Sequence, residues 1–144
     1  MPILNYTTTV PVDRTVAAVQ KLLVGAGARQ IMSEYDRDGR LSGITFALET
    51  ATGMRAAFNL PVHVDRVFAV LERDRSVPPR YRTPEHAERV AWRIVKDWLE
   101  AQLAIVATEM VTFDQVMFAY MRTPGGTTLY DLYRGGGLPA LGAG

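Results

Sequence analysis

Thr83–Met110, TPEHAERVAWRIVKDWLEAQLAIVATEM, is the longest uninterrupted helical pattern in the chain and holds both tryptophans. Thr83 is an N-cap whose hydroxyl can accept a bond from an orphan first-turn N–H. Pro84 follows at the first helical position, where a missing N–H costs nothing. Glu85 places negative charge at the positive end of the helix dipole. Ala87, Val90, Ala91, Ile94, Val95, Trp98, Leu99, Ala101, Ile105 and Val106 gather on one side. Arg89, Arg93, Lys96, Asp97 and Glu100 gather on the other. The apolar arc covers about half the circumference, wider than the ~100° stripe of a surface helix. Such a helix needs more than one neighbour: a sheet with flanking helices, or a dimer interface. Gln102 interrupts the arc, and a buried amide must find a partner. A loop backbone, the same residue of a second copy, or a ligand would each serve. On the polar side, Glu85–Arg89, Arg93–Asp97 and Lys96–Glu100 are spaced for i,i+4 ion pairs.

The strands are read from alternation and turn residues. Ile3–Val12 is expected to be a strand rich in threonine and valine, ended at Pro11. Asp13 then caps a helix to about Gly25, with Val16, Val19, Leu23 and Ala26 as its buried stripe. Arg29–Tyr35, Leu41–Thr50 and Met54–Leu60 form a meander with turns at Asp38-Gly39 and Thr52-Gly53. A helix starts at Pro61, and Val77-Pro78-Pro79 forms an extended linker. Phe113–Met121 is one more helix. Leu129, Tyr130, Leu132 and Tyr133 read as a short arm suited to a partner subunit.

The expected fold is therefore α+β, in the order β-α-β-β-β-α-α-α. A four-stranded, mostly antiparallel sheet carries helices on one face, with a long, central, C-terminal helix. A chain of 144 residues is one domain. Its expected bounds are residues 1–134, followed by a flexible glycine-rich tail, 135–144.

Composition narrows the chemistry. Hydrophobic residues make up 48% and charged residues 22%, as in an ordinary globular domain. The net charge of +1 gives no push toward long nucleic acid or an anionic membrane. The absence of cysteine excludes thiol catalysis and a disulfide framework. No run approaches the about 20 apolar residues of a membrane span, and MPILNYTTTV lacks the pattern of a signal peptide. His63 and His86 fit no metal spacing, and no phosphate loop or nucleophile elbow is present. No cofactor or metal is expected.

What remains is a cluster. Arg73, Arg75, Arg80, Arg82, Arg89 and Arg93 are interleaved with Tyr81 and Trp92 around the start of the long helix. Guanidinium groups take phosphate in bidentate fashion, and aromatic planes accept a base. The expected ligand-binding set is Arg80, Tyr81, Arg82, Arg89, Trp92, Arg93, Asp97 and Gln102. A solvated linker and helix face would carry the same residues, with Asp74, Glu85 and Glu88 offsetting part of the charge.

The runs AERVAWRIVKDWLEAQLAIV, YTTTVPVDRTVAAVQKLLVGAGA, FNLP and MVTFDQVMFAYM resemble a family of small phage and prophage proteins, over residues 3 to about 133. Small phage proteins of this size and build include oligomeric sponges for bacterial immune nucleotides. The resemblance thus implies a cytoplasmic anti-defence protein in the bacterial host. It would bind a cyclic or ADP-ribose-type nucleotide without cutting it, as a homodimer or higher homo-oligomer. Two other readings stand beside it: an interaction module that inhibits or regulates a host or phage protein, and a nucleotide phosphodiesterase using carboxylates.

Overall fold

The computed structural model describes residues 1–136. The long helix runs Pro84–Ala107, and the Thr83 hydroxyl accepts from the His86 N–H at 3.2 Å. In chain order the elements are α1 (Val12–Gly25), β1 (Gln30–Tyr35), β2 (Leu41–Glu49), β3 (Arg55–Asn59), α2 (Val64–Arg73), a 3₁₀ turn (Pro79–Tyr81) and α3 (Pro84–Ala107). Then come α4 (Phe113–Met117), a second 3₁₀ turn (Phe118–Tyr120) and α5 (Leu129–Arg134). The fold is α+β, with a three-stranded antiparallel sheet in the order β1-β2-β3.

The breadth of the apolar arc on α3 has a cause inside the chain. Ala91, Trp92, Val95 and Leu99 pack into the main core with α1 residues Val19 and Leu23 and sheet residues Ile44, Phe46, Leu48 and Phe58. Ala87 and Val90 turn to a second cluster, with Leu71 of α2 and Val77. Helix α3 thus fills its arc with α1 and the sheet on one flank and α2 on the other, so the arc alone calls for no second copy. Burial stops after Leu99; Ala101 and Ile105 are exposed.

Alternation along β2 and β3 puts Phe46 and Phe58 on the helix side, stacked at 5.6 Å between ring centroids. Phe113 of α4 meets both rings edge-on. The opposite face carries Gln30, Met32, Glu34, Thr45, Arg55 and Asn59. There the Thr45 hydroxyl lies 3.1 Å from a Glu34 oxygen and 2.8 Å from the Asn59 carbonyl oxygen. The β1–β2 loop is longer than a two-residue hairpin. The Asp36 N–H donates to the Arg40 carbonyl at 2.9 Å, and the Asp36 carboxylate accepts from the N–H groups of Asp38 and Arg40.

Three expectations are corrected. In place of the expected first strand, Ile3–Val12, the chain turns at 4–7, runs without regular structure over 8–11 and enters α1 at Val12, so there is no fourth strand among the described residues. Asn5 takes a left-handed conformation (φ 66°), and its amide donates to Asp97 of α3 at 2.8 Å. Ile3 and Tyr6 then pack on the α2–α3 cluster. This tertiary burial outweighs the strand propensity of the threonines. Second, the long helix is not C-terminal, because α4 and α5 follow it. Third, α2 begins at Val64, three residues after Pro61.

Smaller differences follow from caps. Pro11, not Asp13, stands at the N-cap of α1. The expected helix Phe113–Met121 splits into α4 and a 3₁₀ turn, with a capping box between Thr112 and Gln115 at its start. The aromatic arm is α5, whose own capping box joins Thr128 to Asp131. The expected tail beyond Gly136 lies outside the described residues. Among the described residues, no helix is long and apolar enough to cross a membrane.

The α5 cap is acid-sensitive. The Thr128 N–H, and then its hydroxyl, bond the Asp131 carboxylate and hold its pKa below the ordinary aspartate value. A depressed folded-state pKa stabilises above the unfolded value and loses that contribution as pH falls through the folded one. An NMR titration should therefore show Asp131 titrating below the ordinary aspartate range, with the amides of Thr128–Arg134 shifting alongside. Titration at the ordinary value would mean that the Thr128–carboxylate bonds do not hold in solution, leaving only the Asp131 N–H bond to the Thr128 hydroxyl.

Candidate functional site

Arg80, Tyr81, His86 and Arg89 line one cleft with Thr8, Thr9 and Pro11, about 320 Å³ in volume. Three elements build it: the N-terminal turns, the first 3₁₀ turn and the first two turns of α3. The N-terminal wall is tied to α3 twice. The Asn5 amide bonds Asp97, and His86 Nε2 donates to the Tyr6 carbonyl at 2.5 Å. That second bond assigns the histidine tautomer: with hydrogen on Nε2, Nδ1 is left as an acceptor. Arg89 Nη2 lies 3.3 Å from Nδ1 and supplies the donor. His86 is 3% exposed, so it acts as a fixed post that orients the Arg89 guanidinium.

Aromatic contacts set the floor. Tyr81 meets Tyr6 edge-on at 5.9 Å and His86 at a tilt at 4.9 Å. The Arg80 guanidinium lies 4.6 Å from the centre of the Tyr81 ring, held by the attraction of a cation for the ring face. Of the three ion pairs expected along α3, only Lys96–Glu100 forms, at 2.8 Å. Glu85 and Glu88 turn to Arg40 of the β1–β2 loop, at 3.7 and 3.9 Å. Asp97 serves Asn5. Among the described residues no carboxylate pairs with Arg80 or Arg89, so the cleft keeps a net positive charge.

The eight expected site residues therefore separate. Arg80, Tyr81 and Arg89 line the cleft. Arg82 and Arg93 are half-buried close by without lining it. Asp97 acts behind the wall through Asn5. Trp92 is 0% exposed in the main core and presents no face to a ligand. Gln102 is half-buried about 20 Å along the helix axis from Arg89. Sequence reasoning missed Thr8, Thr9 and His86. The threonines fit a strand pattern equally well, and His86 fits no metal spacing. Its position three residues after a Ser/Thr cap was the signal that it faces the chain preceding the helix.

Two of the other cavities differ in kind. A polar cleft of about 350 Å³ carries Asp36, Arg40, His63, Asp65 and Glu88. Among the described residues no group of histidines and carboxylates is placed to hold a metal ion. A groove of about 670 Å³ between the C-terminal halves of α1 and α3 is mainly apolar, lined by Leu22, Leu103, Val106 and Phe113 among others. It is the larger space and holds Lys21 and Lys96, but Lys96 is paired with Glu100 at 2.8 Å and Phe113 is its one aromatic, so it lacks the unpaired arginines of the Arg80–Arg89 cleft. No protein-family model, curated protein or solved structure matches this chain.

Proposed function

We propose that this protein binds a small phosphate-bearing ligand of the nucleotide class in the Arg80–Arg89 cleft and holds it without chemical change. The observation that carries the reading is the convergence of two arginines, without carboxylate partners among the described residues, on a cleft walled by Tyr81, His86, Thr8 and Thr9. Arg89, oriented by His86, supplies charge-assisted bonds to a phosphate, and the threonine hydroxyls add neutral ones. The stacked Arg80–Tyr81 pair offers a flat surface to a base. The volume lies at the low end of the ~300–1,000 Å³ range of ligand sites. A mononucleotide-sized moiety fills it, and a cyclic dinucleotide or ADP-ribose would extend outside.

In the setting that the resemblance to small phage proteins implies, such binding would sequester a nucleotide immune signal in the bacterial cytoplasm. The test is capture and release. Purified protein is incubated with cyclic dinucleotides, cyclic trinucleotides, ADP-ribose derivatives and mononucleotides, and free nucleotide is assayed before and after heat denaturation. A nucleotide that disappears and returns intact supports sequestration. One that returns altered points to a phosphodiesterase. If all stay free, the binding reading fails. The apolar α1–α3 groove then favours the second reading, an interaction module that inhibits or regulates another protein.

A further inference from the structure

The two edges of the sheet are treated differently. The outer edge of β3 is covered from within the chain: the Arg122 N–H donates to the Ala57 carbonyl at 2.7 Å, and Met121 bridges Phe58. Strand β1 has no such cover. Among the described residues, Gln30–Tyr35 makes backbone hydrogen bonds to β2 alone, and its other side is an open row of donors and acceptors. Protective devices are sparse as well. QIMSEY contains no proline, glycine or lysine, and the one register irregularity sits at its end, between Glu34 and Tyr35. Met32 and Tyr35 stand 52% and 65% exposed.

An open strand edge specifies its occupant in part: another extended backbone. The side chains narrow it further. When β1 pairs antiparallel with a copy of itself about a dyad at Met32, Met32 faces its counterpart, Ile31 faces Ser33, and Gln30 faces Glu34 at both ends. The Arg55 guanidinium already donates to the Gln30 side-chain carbonyl. The Gln30 NH₂ has no partner among the described residues and can donate, and the Glu34 carboxylate opposite, which takes the Thr45 hydroxyl on one oxygen, can accept on the other. Moving the dyad to Ile31 or Ser33 sets Met32 against Gln30 or Glu34 and loses both polar pairs.

We infer that β1 is a homodimer interface, joining two three-stranded sheets edge to edge into one continuous antiparallel sheet. The interface shares no residue with the Arg80–Arg89 cleft and does not depend on the ligand reading. A six-residue strand pairing is smaller than the ~1,200–2,000 Å² of a standard stable interface. The dimer therefore forms in proportion to concentration.

Sedimentation equilibrium over a wide concentration range tests this. The wild type should move from 15.9 kDa toward twice that mass as concentration rises. Met32→Lys and Met32→Glu each place like charges face to face at the dyad and should stay monomeric at every concentration. Because Met32 is exposed, both should keep the wild-type circular dichroism spectrum and Tm. An equimolar mixture of the two variants should recover the dimer through Lys–Glu pairing. A wild type that stays at monomer mass throughout overturns the inference. So does a Met32→Lys variant that dimerises like wild type, and a mixture that stays monomeric rules out the dyad at Met32.

Discussion

Trp92→Ala is expected to lower stability by about 3–5 kcal/mol, the largest single-residue effect in this protein. For a domain of this size that is a fall in Tm of roughly 10–15 °C. Trp92 is 0% exposed and shares the main core with Ala91, Val95, Leu99 and the sheet, so truncation leaves a cavity the backbone cannot close. Trp92→Phe should cost far less, roughly 1 kcal/mol. The indole Nε1 is buried without a hydrogen-bond partner among the described residues, so phenylalanine removes an unsatisfied donor as well as some volume. Thermal melts of the two variants decide the point. A Trp92→Ala protein with wild-type Tm would place the indole outside the core.

Arg89→Ala should weaken binding of a captured nucleotide about 10- to 100-fold, the loss of one charge-assisted hydrogen-bonding group worth about 1.5–3 kcal/mol. The His86–Arg89 contact makes geometry part of the effect. Arg89→Lys keeps the charge but loses the planar fork, and should recover only part of the affinity. Arg80→Ala should show a smaller loss, because Arg80 is exposed and its guanidinium is held only by the Tyr81 ring. Gln102→Ala, on the far half of α3, should bind like wild type. Isothermal titration with the captured nucleotide, repeated with inorganic phosphate as the bare anion, reads all four. Equal loss in Gln102→Ala and Arg89→Ala would mean a site elsewhere on the helix.

Position within α3 explains how far the site was legible. The helix could be read because its signals are local: a Thr cap, Pro at the first position, and apolar residues recurring each turn. Local signals also marked Arg80, Tyr81 and Arg89 as neighbours at its start. The separation of Trp92 from Arg89 was not legible. The two are three residues apart, and with an apolar arc this wide a small rotation about the axis exchanges buried and exposed positions. Packing of α1 and the sheet sets that rotation. The ion pairs were overcounted for a related reason. Spacing at i,i+4 permits Glu85–Arg89 and Arg93–Asp97, but Arg40 and Asn5, distant in sequence, take the carboxylates.

The sequence by itself determined the elements whose stabilising contacts lie within a few residues: the capped helix α3 and the β1–β2–β3 meander. Hydrogen bonding along one helix or between adjacent strands is a short-range matter, and its periodicity is written in the chain. Tertiary structure decided what depends on residues far apart. Asn5 meets Asp97 across 92 positions and turns an expected strand into the wall of a cleft. His86 meets Tyr6 across 80 positions and aims Arg89. Met121 and Arg122 cover one sheet edge and leave the other open. These outcomes follow from competition among distant partners for the same donors, acceptors and apolar surface, which no local window of sequence contains.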